Sequence, residues 1–598
     1  MSAPIKTNQL TYTFDKELFS KNYDIFCIRT SEKHFKNGAY IIDAPLLSNN
    51  VCSVLFKSGR EIFVLMKSNG SNKSLLKNAI LKDDGADRIT ISQVTPNSLK
   101  DDIVFQLMLN SLGNYESPLL KFNNLTGHLY CFHPNWLIRG RKSEADVVFK
   151  VPCLELRLSS EFRLNMEVHT FTSELLRNKI EFKKKKFDEY PKYIFSAHNT
   201  LRRKLKDDVG YSFIMRQTKN AKTEIAFLDI QNIDRFNQSK MGILTTVLEN
   251  FNDRFSSIAH LDFESITDYK ALDYTRSVAN ENKQAISDLL SIKPIKIVDC
   301  IDDEYSKIFC KEICDLLLSK YGIKTSCGKR VAKDHLNIRV IHNAAFYADS
   351  DDPHRIFNDV AVQHITFEDF SECSEFAIST VIHEMLIKAD LVKQKISLFD
   401  WNTLGLKDDI DFGIEVTDEQ NTKYIFMTIH PDGTFNISEQ TLNLFEANNY
   451  NQCVEIFENA KMNSVKVHGI IRDALGNINI IKDTEWFTIP EIYSIKAELA
   501  NGNTKLRGKE KRNELLSSCL DIKMFNDGVS EYYFVGTIGN GMRCLINRAA
   551  NIRKIEPFED SILMFEKLLP LMNVTFVHNG QLTIIPFPFK YLREHLNK

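Results

Sequence analysis

Hydrophobic positions in the first half of this chain fall in short runs with a period near two. Residues 23–28 and 61–66 read as strands, and residues 127–132 continue the pattern. Residues 145–152 predict a strand stopped by Pro152. Residues 173–186 and 199–206 read as polar, partly helical connectors, residues 213–234 as strand-like, and residues 283–290 as helical. From about residue 293 the rhythm changes. A short apolar run at 295–300 precedes a helical pattern over 302–321, with Ile308, Ile313, Leu316 and Leu317 on one face and Gly322 as its stop. Strand patterns follow at 323–326, 336–342 and 360–365, and a helix is predicted over 374–395. Strands alternating with helices imply a parallel, Rossmann-like sheet. No GxGxxG opens the helix after the first strand, so dinucleotide binding is not supported.

Beyond residue 400 the pattern returns to hairpins. Residues 411–417 and 423–430, closed by Pro431-Asp432-Gly433, read as a β-hairpin opening a new sheet. Residues 469–476 give another strand, ending at Asp473. With 598 residues, 43% hydrophobic and 26% charged, the chain has the composition of a globular protein of about three or four domains. No run of eighteen apolar residues predicts a membrane span, and residues 1–20 lack an apolar signal core. The twelve cysteines form no CxxC pair and no zinc pattern, so a reducing cytoplasm is expected. The net charge of −2 argues against coating nucleic acid by charge alone. Local basic runs remain: Arg139, Arg141 and Lys142; Lys183 to Lys186; Arg202, Arg203, Lys204 and Lys206; Lys505, Arg507, Lys509, Lys511 and Arg512. Any one of them reads first as a solvated face.

The chain closes on Ile585-Pro586-Phe587-Pro588-Phe589-Lys590-Tyr591-Leu592, after an apolar strand pattern at 582–585. Each proline fixes φ and removes a donor, so the segment leaves the sheet in a set direction. This ending resembles that of the PIWI domain of Argonaute proteins. The Rossmann-like segment before it resembles their MID domain, because Gln363 follows Tyr347 by 16 residues and Lys388 follows Gln363 by 25. The resemblance implies a multidomain α/β Argonaute-like fold: an N-terminal domain over 1–110, linker regions without a PAZ domain over 111–288, MID over 289–400 and an RNase H-like PIWI domain over 401–598. It implies that Tyr347, Gln363 and Lys388 hold the 5′ end of a guide. The family's second lysine falls at Asp351, leaving His354 or Arg355 as candidate replacements.

In the same register the family's catalytic acids fall at Glu415 and Asp473, and a further metal ligand at Arg593. Two-metal cleavage needs several anionic or imidazole ligands, and arginine is neither. Glu439, Glu446, Glu455 and Glu458 lie where a finger glutamate would stand, none of them marked. The resemblance therefore implies a cleavage-inactive prokaryotic Argonaute and not an enzyme. Its expected partners are a short guide DNA (or RNA), complementary plasmid target DNA and a DdmD-like helicase–nuclease. No cofactor is required on this reading, Mg²⁺ at the guide 5′ phosphate being the one candidate. The alternatives are an active guide-dependent endonuclease using Glu415 and Asp473 with divalent metal, and an α/β scaffold that binds no nucleic acid. His383-Glu384 opens like a zinc-protease motif, but Ile387 stands where the second histidine belongs.

Overall fold

The computed structural model describes residues 4–31, 50–58, 60–80, 88–114, 120–123, 127–140, 147–182, 186–195, 201–204, 207–218, 225–272, 286–343, 345–347, 357, 359–369, 375–417, 422–440, 450–502, 522–535, 551–572 and 585–596. The protein is a mixed α/β, multidomain chain whose residues gather into two compact units. One unit comprises 1–267, 485–519 and 541–549; the other comprises 268–484, 520–540 and 550–598. Among the described residues, no helix is long and apolar enough to cross a membrane.

In the first unit, β1 (Ile5–Phe14) runs antiparallel to a later strand, and its start pairs with Thr488 and Ile489. Strands β2 (Tyr23–Thr30), β3 (Val51–Ser58), β4 (Glu61–Lys67) and β5 (Ile89–Val94) form an antiparallel sheet in the order β3-β4-β2-β5. Helix α1 (Asp101–Asn110) covers it, and Asn110 Nδ2 donates 2.7 Å to the Val54 carbonyl. A second sheet centres on β6 (Leu129–Phe132), β7 (Val148–Leu158) and β8 (Leu164–Ser173). Helix α2 (Lys240–Arg254) and β9 (Ala259–Ile266), the partner of β1, complete the labelled elements.

Pro152 does not stop its strand. β7 continues six residues past it, with Pro152 opposite Thr170 of β8. On the other edge of β7, residues 138–139 pair up to Lys150 and β6 pairs from Leu154, so Pro152 falls where there is no ladder to receive the missing N–H. Likewise Leu201–Arg203 is a short strand within a segment that reads as a connector.

The second unit opens with a parallel sheet of β10 (Ile295–Asp299), β11 (Thr325–Gly328), β12 (Leu336–Ile341) and β13 (Val362–Thr366), ordered β11-β10-β12-β13. Between β10 and β11 runs α3 (Glu304–Tyr321). Its capping box pairs Asp303 with Ser306, and Gly322 ends it in the left-handed region at φ 70°. Helix α4 (Glu375–Lys393) follows β13. Cys314 of α3 meets Cys327 of β11 at 3.5 Å between sulfurs, a pairing that sequence spacing does not show.

A long antiparallel sheet follows. It contains β14 (Ile410–Thr417), β15 (Thr422–Ile429), β16 (Phe435–Gln440), β17 (Val467–Asp473), β18 (Ile478–Ile489), β19 (Ile522–Asn526), β20 (Glu531–Val535) and β21 (Asn551–Pro557). The order is β19-β20-β21-β18-β17-β14-β15-β16. Helix α5 (Asn451–Met462) covers one face through Cys453, Val454 and Phe457. The last helix, α6 (Pro588–Leu596), closes the other face. Proline at its first position suits an N-terminus whose N–H has no helical partner. Phe587, Phe589, Tyr591 and Leu592 are buried in the same core as Phe412, Phe435 and Met385. Gly469 makes room for this docking: a Cβ there would stand 2.3 Å from the Phe589 ring. The strand expected at 582–585 lies outside the described residues except for Ile585.

Candidate functional site

The helical period places Glu384 and Lys388 one turn apart on α4, facing the same way. The first turns of α6 bring Lys590 to this face, and Glu594 follows it by one turn. Gln363, the second residue of β13, enters from the sheet. Its Nε2 donates 2.7 Å to Glu384 Oε2. Lys590 Nζ lies 3.5 Å from the other oxygen of Glu384 and 2.8 Å from Glu594 Oε1. Lys388 is 8% exposed and sits in the field of Glu594, Glu384 and Lys590. The structure thus joins Gln363 and Lys388 in one polar cluster.

Burial shapes the electrostatics. It raises the Glu384 carboxyl above its ordinary value, helped by Glu594 and opposed by Lys590. Burial also lowers the Lys388 ammonium, against the pull of the two glutamates. Two residues after Lys388 on α4, Asp390 receives 2.7 Å from the Tyr591 hydroxyl and 2.8 Å from the Ser397 N–H. Tyr591 is thereby pinned to α4, and the tail motif holds α6 against that helix.

Tyr347 lies in the turn that follows β12. Its hydroxyl accepts 3.2 Å from the His342 N–H, just past the end of β12. Gln363 pairs with Ile338, four residues earlier, which is about 13 Å at the rise of a strand. Around Tyr347, the ring of Phe346 stacks on His342 at 3.7 Å between centroids and is 63% exposed. His342 Nδ1 meets Glu368 at 2.5 Å. His354 and Arg355, and the N-terminal approach to α4 at Ser374, lie outside the described residues.

The two acids singled out in the sequence, Glu415 and Asp473, do not converge. Ile410 of β14 pairs with Asp473 at the end of β17, and Glu415 is five residues along from Ile410. That is about 17 Å, and an odd offset puts the two carboxylates on opposite faces. Asp473 has another use: its oxygens accept from the N–H of Leu475 and of Asn477 and from the Asn477 amide, at 2.9–3.0 Å, holding the turn into β18. Glu415 lies 3.6 Å from Lys461 of α5 and accepts from Thr417. Arg593 is on the outward side of α6, in the field of Arg553. Of the candidate finger positions, Glu439 pairs with Lys423 and Glu458 accepts from Tyr424, while Glu446 lies outside the described residues.

Sequence reading missed Glu384, Glu594 and Lys590 as members of the cluster. The signal was present as two i, i+4 charge pairs, Glu384/Lys388 and Lys590/Glu594, but nothing local brings the two helices together. Of the basic runs, Arg202 is held by Asp208 at 2.6–2.7 Å and Arg203 is buried over the Tyr193 ring. Arg141, Lys142, Lys183 to Lys185, Lys206 and the 505–512 run lie outside the described residues.

No family model and no curated protein sequence matches the chain. Among solved structures, it is similar to Marinitoga piezophila Argonaute in complex with 5′ OH guide RNA and target DNA, at 10% identity and a TM-score of 0.41, covering 98% of this chain and 97% of that one. It is also similar to Drosophila Piwi, at 10% identity and a TM-score of 0.41, covering 99% and 96%.

Proposed function

We propose that the protein is a guide-directed nucleic-acid-binding protein of the Argonaute type that does not cut its target. The observation that carries this reading is the cluster of Gln363, Lys388 and Lys590, built where a parallel α/β segment meets the C-terminal tail. A buried cation beside an amide offers donors to the oxygens at the end of a strand of nucleotides. The exposed Phe346 ring, backed by His342 and next to Tyr347, offers a face on which a base can stack. On this reading residues 289–400 act as MID and 401–598 as PIWI, base pairing supplies the sequence information, and the protein reads shape and phosphates.

The non-cutting half of the proposal is supported by the separation of Glu415 from Asp473 and by the engagement of Asp473 in its turn. A protein of this kind acts by recruitment. We therefore place it with the DdmE-like, PAZ-less Argonautes: a short DNA guide, complementary plasmid DNA and a DdmD-like helicase–nuclease that does the cutting, in the cytoplasm and without a cofactor of its own. Filter binding of short single-stranded oligonucleotides to the purified chain tests the first step. Retention that fails for DNA and RNA alike ends the proposal. Incubation of guide-loaded protein with paired target and Mn²⁺ tests the second, and the expected result is intact target.

A further inference from the structure

We propose that Glu155, Glu167 and His169 form a binding site for a divalent transition-metal ion of the zinc class, on one face of the β6–β7–β8 sheet. The strand period sets it up. Glu167 and His169 are two residues apart on β8, so they share a face. Glu155 of β7 stands directly opposite Glu167 and, on its other side, opposite Tyr130 of β6. His128, two residues before Tyr130, reaches the same face, with its Nδ1 2.9 Å from Glu155 Oε1. One donor atom from each of Glu155, Glu167 and His169 lies within 4.8 Å of the others.

Two features call for a cation. Glu155 and Glu167 are like charges directly opposite each other, a pairing that destabilises a sheet. His169 Nε2 is buried and 2.8 Å from Glu155 Oε2, yet it makes no hydrogen bond among the described residues, because its in-plane direction misses that oxygen. It lies 3.6 Å from Glu167 Oε2. Two ligands of a tetrahedral zinc, each about 2.0–2.2 Å from the metal, stand about 3.3–3.6 Å apart, so Glu155 has to draw back by about half an ångström. The donor set selects the metal. An imidazole with two carboxylates suits Zn²⁺, whereas Mg²⁺ and Ca²⁺ take about six or more oxygens. Glu167, with a side chain 70% exposed, opens the site to solvent, which gives an entry path and a water as fourth ligand. His128, on the other oxygen of Glu155, orients that carboxylate as an outer partner of a metal ligand does. Arg157 lies in the field of His169 but is exposed, so solvent screens its repulsion. In the metal-free chain the imidazoles face Glu155 as ion-pair partners instead, so folding does not wait on a cation.

The test is isothermal titration of the full chain, stripped with EDTA, using ZnCl2 and, separately, MgCl2. The wild-type protein should bind Zn²⁺ at this site at least about tenfold more tightly than Glu167→Gln and about a hundredfold more tightly than His169→Gln. Saturating Zn²⁺ should raise the wild-type Tm by about 2–4 °C, with little or no rise in either variant, and equal Mg²⁺ should do neither. Zinc also meets cysteine thiols, and the difference between wild type and variants isolates this site from them. Glu167 is exposed, so Glu167→Gln keeps the fold, as circular dichroism would read, and it serves as the deciding variant. Equal zinc affinity and an equal Tm shift in the wild type and Glu167→Gln overturn the proposal, as does Mg²⁺ that displaces Zn²⁺ at equal concentration. Guide binding is measured apart from this, and its outcome leaves the metal assignment untouched.

Discussion

Two polar regions of the 268–598 part of the chain use the same residue types to opposite effect. At the α4–α6 face, Gln363, Glu384, Lys388, Lys590 and Glu594 converge, and Gln363 Oε1 is buried with no hydrogen bond among the described residues. On the β14–β17 pair, Glu415 and Asp473 diverge, and each is satisfied locally, by Lys461 and Thr417 or by its own turn. A polar group retained for a ligand shows unmet capacity inside a rigid frame; one that is fully satisfied has already done its work in folding. That contrast, more than the register of the residues, is what sets the proposed binding cluster apart from Glu415 and Asp473.

The largest expected effect breaks the first region. Lys388→Glu sets a third carboxylate beside Glu384 and Glu594, and guide retention should fall by about a hundredfold or more, read by filter binding, with circular dichroism confirming the fold. Lys388→Met, which removes charge without adding repulsion, should fall less. Unchanged binding in both variants would place the guide end elsewhere. Next comes the bond that ties α6 to α4. Tyr591→Phe removes the buried donor to Asp390 and should cost about 1–3 kcal/mol in urea denaturation, since Asp390 is left with its Ser397 partners alone.

The second region should respond as structure and not as chemistry. Asp473→Ala should lower stability by about 1 kcal/mol through loss of the turn, and Glu415→Ala by less, neither altering guide binding. Target cleavage by the wild-type protein that vanished in Glu415→Ala would erase the contrast. The smallest effect serves as a control outside both regions. Burial would raise Glu155, but His128 and His169, at 2.9 and 2.8 Å, outweigh it and hold the carboxyl well below the usual range. Contact with Glu155 raises His169. A raised histidine stabilises below its unfolded value of about 6.5 and loses that contribution as pH climbs through its folded value. The depressed Glu155 contributes above about 4.3 and fails only in strong acid. Tm should therefore fall by about a degree or two between pH 6 and pH 8, and His169→Gln should flatten that slope while leaving guide binding unchanged.

Much of the architecture was legible locally. The alternating strands of the 411–430 hairpin, the capped helix after Asp303 and the parallel-sheet rhythm all follow from side-chain period and caps. Pro152 misleads because the rule against proline in strands depends on whether an adjacent strand needs its N–H, and only the arrangement of residues 129–139 across from it answers that. Tyr347, Gln363 and Lys388 stand in the expected order along the chain, yet Tyr347 lies in the turn after β12 with its hydroxyl on the His342 N–H, while Gln363 bonds Glu384, which Lys590 also approaches.

By itself the sequence determined which segments are strands and helices and which faces are apolar, because period, capping and proline act over a few residues. Only the tertiary structure decided that α6 lies on α4, that Glu384 binds Gln363, and that Glu415 and Asp473 face away from one another. Those outcomes depend on register between distant segments, and a carboxylate takes its role from what stands within a few ångströms of it after packing.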